Sequence, residues 1–130
     1  MHKRETMARL LVIEDQAAVR ETVCMVLKNA GHSVIEAEDG DEGLARLATE
    51  MVDLVLTDII MPRTEGIGAI REIKRLYPAM KIIAMSGTGA YALYLHSAQK
   101  LGADAVLAKP FKQHELREAV GRVLAASATT

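Results

Sequence analysis

The residues of this chain that are best suited to chemistry each stand directly after a short apolar run. They are Glu14, Asp15, Asp58, Ser86 and Lys109: three carboxylates, one hydroxyl and one ammonium. Carboxylate oxygens are ligands that Mg²⁺ prefers, and Mn²⁺ can replace it. Three carboxylates brought together would repel one another, which raises their pKa values unless a cation lies among them. If the fold gathers these residues, they predict a divalent-metal site with a lysine and a hydroxyl beside it.

Such a set of groups is suited to phosphoryl transfer. A metal ion and Lys109 can neutralise the oxygens of the transferred group, and Ser86 can donate a hydrogen bond to one of them. A carboxylate can act as the nucleophile and form an acyl phosphate, and this role falls to Asp58. Taken singly, the residues have simpler explanations, such as a helix N-cap for Asp15. The phosphoryl-transfer hypothesis therefore depends on the combination.

The elements that must position these residues alternate along the chain. Five short runs rich in Val, Ile and Leu are typical of parallel strands covered on both faces; they lie at 10–13, 33–37, 54–57, 81–85 and 105–108. Stripes with helical spacing lie between and after them, at 19–30, 44–48, 67–77, 95–101 and 116–124. This repetition predicts a doubly wound α/β domain with right-handed crossovers. The mixed run at 33–37 is expected at a sheet edge. Because the carboxyl ends of the strands form the ligand-binding edge of such a sheet, we expect the reactive residues to meet there.

Size and composition fit one globular domain. The 130 residues carry 16 Lys and Arg against 17 Asp and Glu, so overall charge gives no reason to expect nucleic acid or an anionic membrane as a partner. The one cysteine, Cys24, excludes an internal disulfide and a cysteine-based zinc cluster. No apolar run reaches the roughly 18 residues of a membrane-spanning helix, and the N-terminus has no signal-peptide pattern. We expect a soluble, cytoplasmic protein.

Four stretches resemble, in order and spacing, the receiver domain of two-component response regulators. They are Leu-Val-Ile-Glu-Asp at 11–15, Asp-Leu-Val-Leu-Thr-Asp-Ile-Ile-Met-Pro at 53–62, Met-Ser-Gly at 85–87 and Gly-Ala-Asp-Ala-Val-Leu-Ala-Lys-Pro-Phe at 102–111. The resemblance spans residues 8–126, with 1–7 as an N-terminal extension and 127–130 as a frayed C-terminal tail. Because the chain ends soon after the last predicted helix, we expect a stand-alone, single-domain receiver.

The resemblance implies a fold and a role for each site residue. The fold is a flavodoxin-like, doubly wound sheet of five parallel strands in the order 2-1-3-4-5 with five helices, an order taken from the family rather than worked out from the residues. The resemblance implies that Glu14 and Asp15 form the acidic metal pair and that Asp58 is the phosphoacceptor and also binds the metal. The backbone carbonyl of Ile60 would be a further metal ligand. The side chains of Ser86 and Lys109 would contact the phosphoryl group. The bond between Lys109 and Pro110 is expected to be cis.

The function implied by the resemblance is a phosphorylation-controlled switch in a two-component phosphorelay. Asp58 would accept a phosphoryl group from the phosphohistidine of a sensor histidine kinase, or from a phosphotransfer protein, with Mg²⁺ or Mn²⁺ as cofactor. The chain would catalyse only its own phosphorylation and dephosphorylation. Its output would pass to a downstream protein on the face of the fourth helix, fifth strand and fifth helix, without direct nucleic-acid contact or membrane insertion.

One departure from the family's pattern concerns how phosphorylation reaches the output face. Val106 stands where the family usually has Tyr or Phe, the ring that changes rotamer as the hydroxyl residue moves. A β-branched side chain has a restricted χ1, and turning it exposes little new area. We therefore predict that the change passes through residues 87–95, where glycines can take new backbone angles and Tyr91 and Tyr94 can change exposure.

Three other interpretations are weaker. An aspartyl-phosphate phosphatase of the haloacid dehalogenase type needs a second acid two residues after its nucleophile, where Ile60 stands. Gly-Thr-Gly-Ala-Tyr-Ala at 87–92 fits a dinucleotide-binding fingerprint, but that fingerprint belongs in the first strand–helix–strand unit rather than the fourth. A degenerate receiver that only docks partners is disfavoured, because the acids, Ser86 and Lys109 are all retained.

Overall fold

The computed structural model describes residues 7–59, 65–87 and 98–128, over which strands and helices alternate. The strands are β1 (Arg9–Ile13), β2 (Ser33–Ala37), β3 (Leu54–Asp58), β4 (Lys81–Ser86) and β5 (Ala105–Ala108). The helices are α1 (Ala17–Asn29), α2 (Gly40–Thr49), α3 (Glu65–Leu76), the helical residues 98–100 (α4) and α5 (Gln113–Ala128). The predicted alternation is confirmed in this part of the chain.

The five strands form one parallel sheet in the order β2-β1-β3-β4-β5. The flavodoxin-like, doubly wound fold class and its strand order are therefore confirmed, as is the edge position of β2. β1 lies between β2 and β3, with Leu11 opposite both Ile35 and Val55. Since the chain moves from β1 to one edge and then returns past β1 to build the other side, the change of winding direction falls beside the ends of β1 and β3.

Each central strand contributes to two hydrophobic layers, one on either face of the sheet. In β1, Leu10 and Val12 pack in the layer that includes α1 and α5, while Leu11 and Ile13 pack in the layer that includes α2 and α3. All four side chains are fully buried. Alternate side chains of a strand point to opposite faces, so a strand covered on both faces reads as a continuous apolar run.

Helix α1 ends in a hydrogen-bond pattern that depends on Gly31. The amide of His32 donates to the carbonyl of Leu27 at 3.1 Å, and the amide of Gly31 donates to the carbonyl of Lys28 at 3.0 Å. Gly31 has a φ of +102°, in the region that favours glycine. The helix end predicted at Gly31 is confirmed, and the turn leads the chain directly into β2.

Two aspartates join neighbouring strands at the amino edge of the sheet. The amide of Asp53 donates to the carbonyl of Arg9 at 2.8 Å, and the amide of Arg9 donates to the Asp53 carboxylate at 2.8 Å. Asp104 makes the same pair of bonds with Ile82, at 2.7 and 2.9 Å. Each aspartate thus satisfies both backbone groups of a residue in the adjacent strand, which helps to fix the register of β1 with β3 and of β4 with β5.

Several predictions fall wholly or partly outside the described residues. Most of the switch segment 87–95 lies there, with residues 95–97 of the predicted fourth helix, residues 1–6 and residues 129–130. Val106 is described, and it is half-buried in β5 against the layer that includes α2 and α3. Over the described ranges, no helix is long and apolar enough to cross a membrane.

Replacing Gly31 and Gly121 by alanine should change stability in opposite directions. Gly31→Ala would force alanine into a φ of +102°, so the free energy of unfolding should fall by about 1–2 kcal/mol. Gly121 lies inside α5, with open space where a Cβ would be added. Gly121→Ala should therefore raise the free energy of unfolding by about 0.5–1 kcal/mol. Urea unfolding followed by circular dichroism measures both changes. An equal loss of unfolding free energy in the two variants would contradict the positive φ of Gly31 and the helical conformation of Gly121.

Candidate functional site

The carboxyl ends of three neighbouring strands hold buried polar residues. Glu14 follows β1, Asp58 ends β3 and Ser86 ends β4, and all three are buried. Because β1, β3 and β4 are adjacent in the sheet, these ends lie side by side. Lys109 follows β5, and its amide donates to the carbonyl of Ser86 at 2.7 Å. The sheet therefore assembles four of the residues singled out from the sequence.

The Lys109 ammonium joins the two buried carboxylates. Its Nζ donates to Glu14 Oε1 and to Asp58 Oδ2, each at 2.7 Å. Hydrogen bonds between charged groups at this distance are stronger than bonds between neutral groups. The lysine also offsets the repulsion between the carboxylates, which lets both lie in the same buried corner of the sheet.

The pKa values of Glu14 and Lys109 reflect burial and their mutual contact. Burial raises the pKa of Glu14, and the hydrogen bond from Lys109 counteracts part of that rise. Burial acts to lower the pKa of Lys109, but the hydrogen bonds to Asp58 and Glu14 outweigh it, so this pKa is raised above its ordinary value. Lys109 is therefore an ammonium at neutral pH, and it places a positive charge beside Asp58.

Glu14, Asp15 and Asp58 form an acidic cluster that could hold a metal ion. One oxygen from each carboxylate lies within 4.8 Å of the others, and Asp15 alone of the three is exposed. The cluster is therefore open to water on the Asp15 side. Hard oxygen donors with room for water ligands match Mg²⁺ or Mn²⁺, so the described residues fit the cation that the sequence predicts. Ile60, the predicted carbonyl ligand, lies outside the described residues.

Ser86 lies at the site with its hydroxyl turned along its own strand. The hydroxyl donates to the carbonyl of Gly87 at 3.3 Å. Asp58 is paired in the sheet with Met85, the residue before Ser86. A phosphoryl group on Asp58 would therefore lie about one strand spacing away, and the hydroxyl would have to turn from Gly87 to reach it. The bond between Lys109 and Pro110 is cis, as predicted.

Arg20 is part of this site, although its position in the sequence did not predict this. Its Nη1 donates to the carbonyl oxygen of Glu14 at 2.7 Å, and its Nε donates to Glu36 Oε1 at 3.2 Å. The amide of Gln16 was not predicted either; it donates to Glu14 Oε2 at 3.1 Å. The sequence shows only that Arg20 lies in the first turn of α1, next to the apolar position Val19. A charged residue at such a position is typical of a solvated helix face, so it did not indicate a site residue.

An open cleft of about 490 Å³ adjoins Lys109. It lies between α1 and the segment that follows β5, and its walls include Val19, Val23 and Phe111. A mainly apolar cleft beside reactive polar groups is typical of a binding surface. The site is thus accessible from the side on which α1 lies.

Comparisons with known proteins agree with this fold and site. The family model described as the response regulator receiver domain matches residues 10–121. The probable transcriptional regulator ycf27 of Guillardia theta is 34% identical over 120 residues, which cover 92% of this chain and 46% of that protein. The chemotaxis protein CheY of Thermotoga maritima is 35% identical over 116 residues, covering 88% and 96% respectively. A crystal structure of a receiver domain protein from Clostridium thermocellum has a TM-score of 0.85 at 30% identity, covering 94% of this chain and 98% of that one.

The chain belongs to the response regulator receiver domain family. Members of this family are signalling switches of two-component systems rather than enzymes that turn over an external substrate, and they bind Mg²⁺ through acidic residues. The chain spans about half the length of several curated relatives that it matches, ycf27 among them. It spans nearly all of others, such as the chemotaxis protein of Thermotoga maritima.

The lone thiol, Cys24, should be inert in the folded protein. It is 3% exposed in α1, and burial raises its pKa to about 11. The thiolate is the reactive form, and an unfolded cysteine has a pKa of about 8.5. Reaction with DTNB at pH 8 should therefore be at least roughly 100-fold slower in the native protein than in guanidinium chloride, and the native rate should keep rising with pH until it levels off near pH 11. Similar rates in both states at pH 8 would contradict this.

Proposed function

We propose that this chain is a phosphorylation-controlled switch of a two-component phosphorelay, with Asp58 as the phosphoacceptor. The phosphoryl group comes from the phosphohistidine of a sensor histidine kinase or of a phosphotransfer protein, with Mg²⁺ as cofactor. The observation that carries this proposal is the Lys109 ammonium, which bridges Asp58 and Glu14 at 2.7 Å on each side. A nucleophilic carboxylate, a fixed positive charge and further acids for a cation are thereby present in one place.

The proposed reaction is a direct transfer to a carboxylate oxygen. An oxygen of Asp58 forms a bond to phosphorus while the bond from phosphorus to the donor's imidazole nitrogen breaks, and the imidazole takes up a proton from water. The product is an acyl phosphate. Hydrolysis by water later returns the carboxylate and inorganic phosphate, so the chain acts only on its own phosphorylation state.

Each residue of the site has a separate part in this proposal. Lys109 neutralises an oxygen of the transferred group from a position that is already fixed beside Asp58. The Ser86 hydroxyl turns from Gly87 and donates to another oxygen. Glu14 and Asp15, with Asp58 and the carbonyl of Ile60, hold the divalent cation. When bound, Mg²⁺ would neutralise further negative charge on the phosphoryl oxygens.

The donor is proposed to approach through the cleft beside Lys109. The apolar walls from α1 and Phe111 would bind an apolar protein surface, which leaves the phosphorylated side chain of the donor next to Asp58. The output is proposed to reach a downstream protein through the face of α4, β5 and α5. We propose 8–126 as the bounds of the receiver and the cytoplasm as its location, since the donor and target proteins of this relay would meet it there.

Asp58→Asn should abolish phosphorylation without unfolding the protein. Incubation with acetyl phosphate and Mg²⁺ should add one phosphoryl group to the wild type, seen by intact-protein mass spectrometry, because Asp58 is the nucleophile. Asp41→Asn is the matched control, since Asp41 is an exposed acid in the first turn of α2 that is not part of the acidic cluster. Its phosphorylation should equal that of the wild type.

Two results would contradict the proposal. Phosphorylation that persists unchanged in Asp58→Asn would place the phosphoacceptor elsewhere. A wild-type protein that gains no phosphoryl group from acetyl phosphate, or from a phosphorylated histidine-containing donor, would instead support a docking module without the chemistry.

A further inference from the structure

Arg20 holds the peptide unit that joins the two acidic residues at the end of β1. Its Nη1 donates to the carbonyl oxygen of Glu14 at 2.7 Å. This carbonyl belongs to the same planar peptide unit as the amide of Asp15. A hydrogen bond to the Glu14 oxygen therefore restricts the orientation of this peptide plane, and with it the position of the Asp15 Cα from which the side chain extends.

The segment from Glu14 to Gln16 lacks the usual anchor at a helix start. Gln16 is the N-cap of α1, but its side chain makes no cap hydrogen bond, and the first turn of α1 contains no acidic residue. The segment is held by the Gln16 amide on Glu14 Oε2 at 3.1 Å, by the Glu14 amide on the Ala37 carbonyl at 3.0 Å, and by Arg20. Lys109 also reaches this segment, but it bonds the Glu14 carboxylate, whereas Arg20 bonds the Glu14 backbone carbonyl. Arg20 is therefore a candidate for controlling the backbone conformation of the segment.

Arg20 is itself held in place by the edge strand. Its Nε donates to Glu36 Oε1 in β2 at 3.2 Å, and its side chain is 13% exposed. A planar guanidinium can make both bonds from a fixed geometry, whereas the ammonium of a lysine offers a single point charge. Arg20 therefore connects α1, the end of β1 and β2 around the Glu14–Asp15 peptide.

We propose that Arg20 is a positioning residue for the metal-binding acidic pair. It touches neither the cation nor the phosphoryl group, and it acts through the backbone of Glu14. Without it, the Glu14–Asp15 peptide can rotate and the two carboxylates no longer face the cation together. This inference depends on the proposed function, because it assigns a supporting residue to the same site.

Removal of Arg20 distinguishes positioning from simple electrostatics. Loss of a nearby positive charge, taken alone, would strengthen the binding of a cation. Loss of a positioning contact should weaken it, and loss of such supporting contacts to metal ligands typically costs roughly tenfold or more in affinity. The two explanations thus predict changes of opposite sign.

The experiment measures Mn²⁺ binding to the unphosphorylated protein by electron paramagnetic resonance. Arg20→Ala should bind Mn²⁺ roughly tenfold more weakly than the wild type, and Arg20→Lys should be intermediate. Arg46→Ala is the matched control. Arg20 and Arg46 both line an open groove along β2, but Arg46 pairs with Glu50 and its side chain is 43% exposed. Its affinity should equal that of the wild type. Asp15→Asn gives the reference for loss of a ligand.

A second readout separates the role of Arg20 from a loss of fold. With acetyl phosphate as donor, Arg20→Ala should raise the Mg²⁺ concentration needed for half-maximal phosphorylation, while the rate at saturating Mg²⁺ stays near that of the wild type. A general loss of structure would lower the saturating rate instead. Circular dichroism checks that each variant is folded. If Arg20→Ala does not fold, the Mn²⁺ affinity and Mg²⁺ dependence of Arg20→Lys test the inference instead.

Unchanged or tighter Mn²⁺ binding in a folded Arg20 variant would overturn the inference, as would equal weakening in Arg46→Ala. The proposed function fails separately. If the wild type binds Mn²⁺ and Arg20→Ala weakens that binding, but Asp58 accepts no phosphoryl group, the positioning role stands and the phosphorelay function does not.

Discussion

An ammonium group between two buried carboxylates is the interaction on which this structure depends. Buried charges are costly unless they are paired and hydrogen-bonded, and removing one partner leaves the other uncompensated. Lys109 supplies the compensation for Glu14 and Asp58 at 2.7 Å each. The three residues follow β1, end β3 and follow β5, so the pairing exists only where these strands run parallel and end at the same edge. The charge pairing therefore requires this sheet topology.

The remainder of the fold keeps that edge in register. Two apolar layers cover the sheet, and β1 contributes alternate side chains to both of them. At the opposite edge, Asp53 and Asp104 each bond both backbone groups of a residue in the neighbouring strand. A slip of one residue at that end would turn side chains to the other face of the sheet and carry the strand ends out of alignment. Arg20 then holds the first loop beyond the sheet, where the acidic pair lies.

The sequence sufficed for the parts of the fold that local patterns encode. Continuous apolar runs predicted the buried central strands, and Gly31 predicted the end of α1. The polar residues after the runs predicted the side chains that the fold brings together at the carboxyl edge of the sheet, whose roles stay a prediction. The strand order came from the family resemblance, because nothing in the spacing of the residues states which strands are neighbours. The contacts of Arg20, Asp53 and Asp104 could not be predicted, since each joins residues that become adjacent only after the sheet has formed. The switch predicted at 87–95 lies mostly outside the described residues and stays a prediction.

A double-mutant cycle on Lys109 and Asp58 tests the central interaction most directly. The free energy of unfolding is measured by urea titration, without divalent cations, for the wild type, Lys109→Met, Asp58→Asn and the double variant. Lys109→Met should lower it by about 3 kcal/mol, because two buried carboxylates lose their counter-charge. The double variant should be more stable than the sum of the single changes predicts, with a coupling energy of about 1–3 kcal/mol. Additivity within about 0.3–0.5 kcal/mol would contradict the account, since it would mean that Lys109 and Asp58 do not stabilise each other in the folded protein.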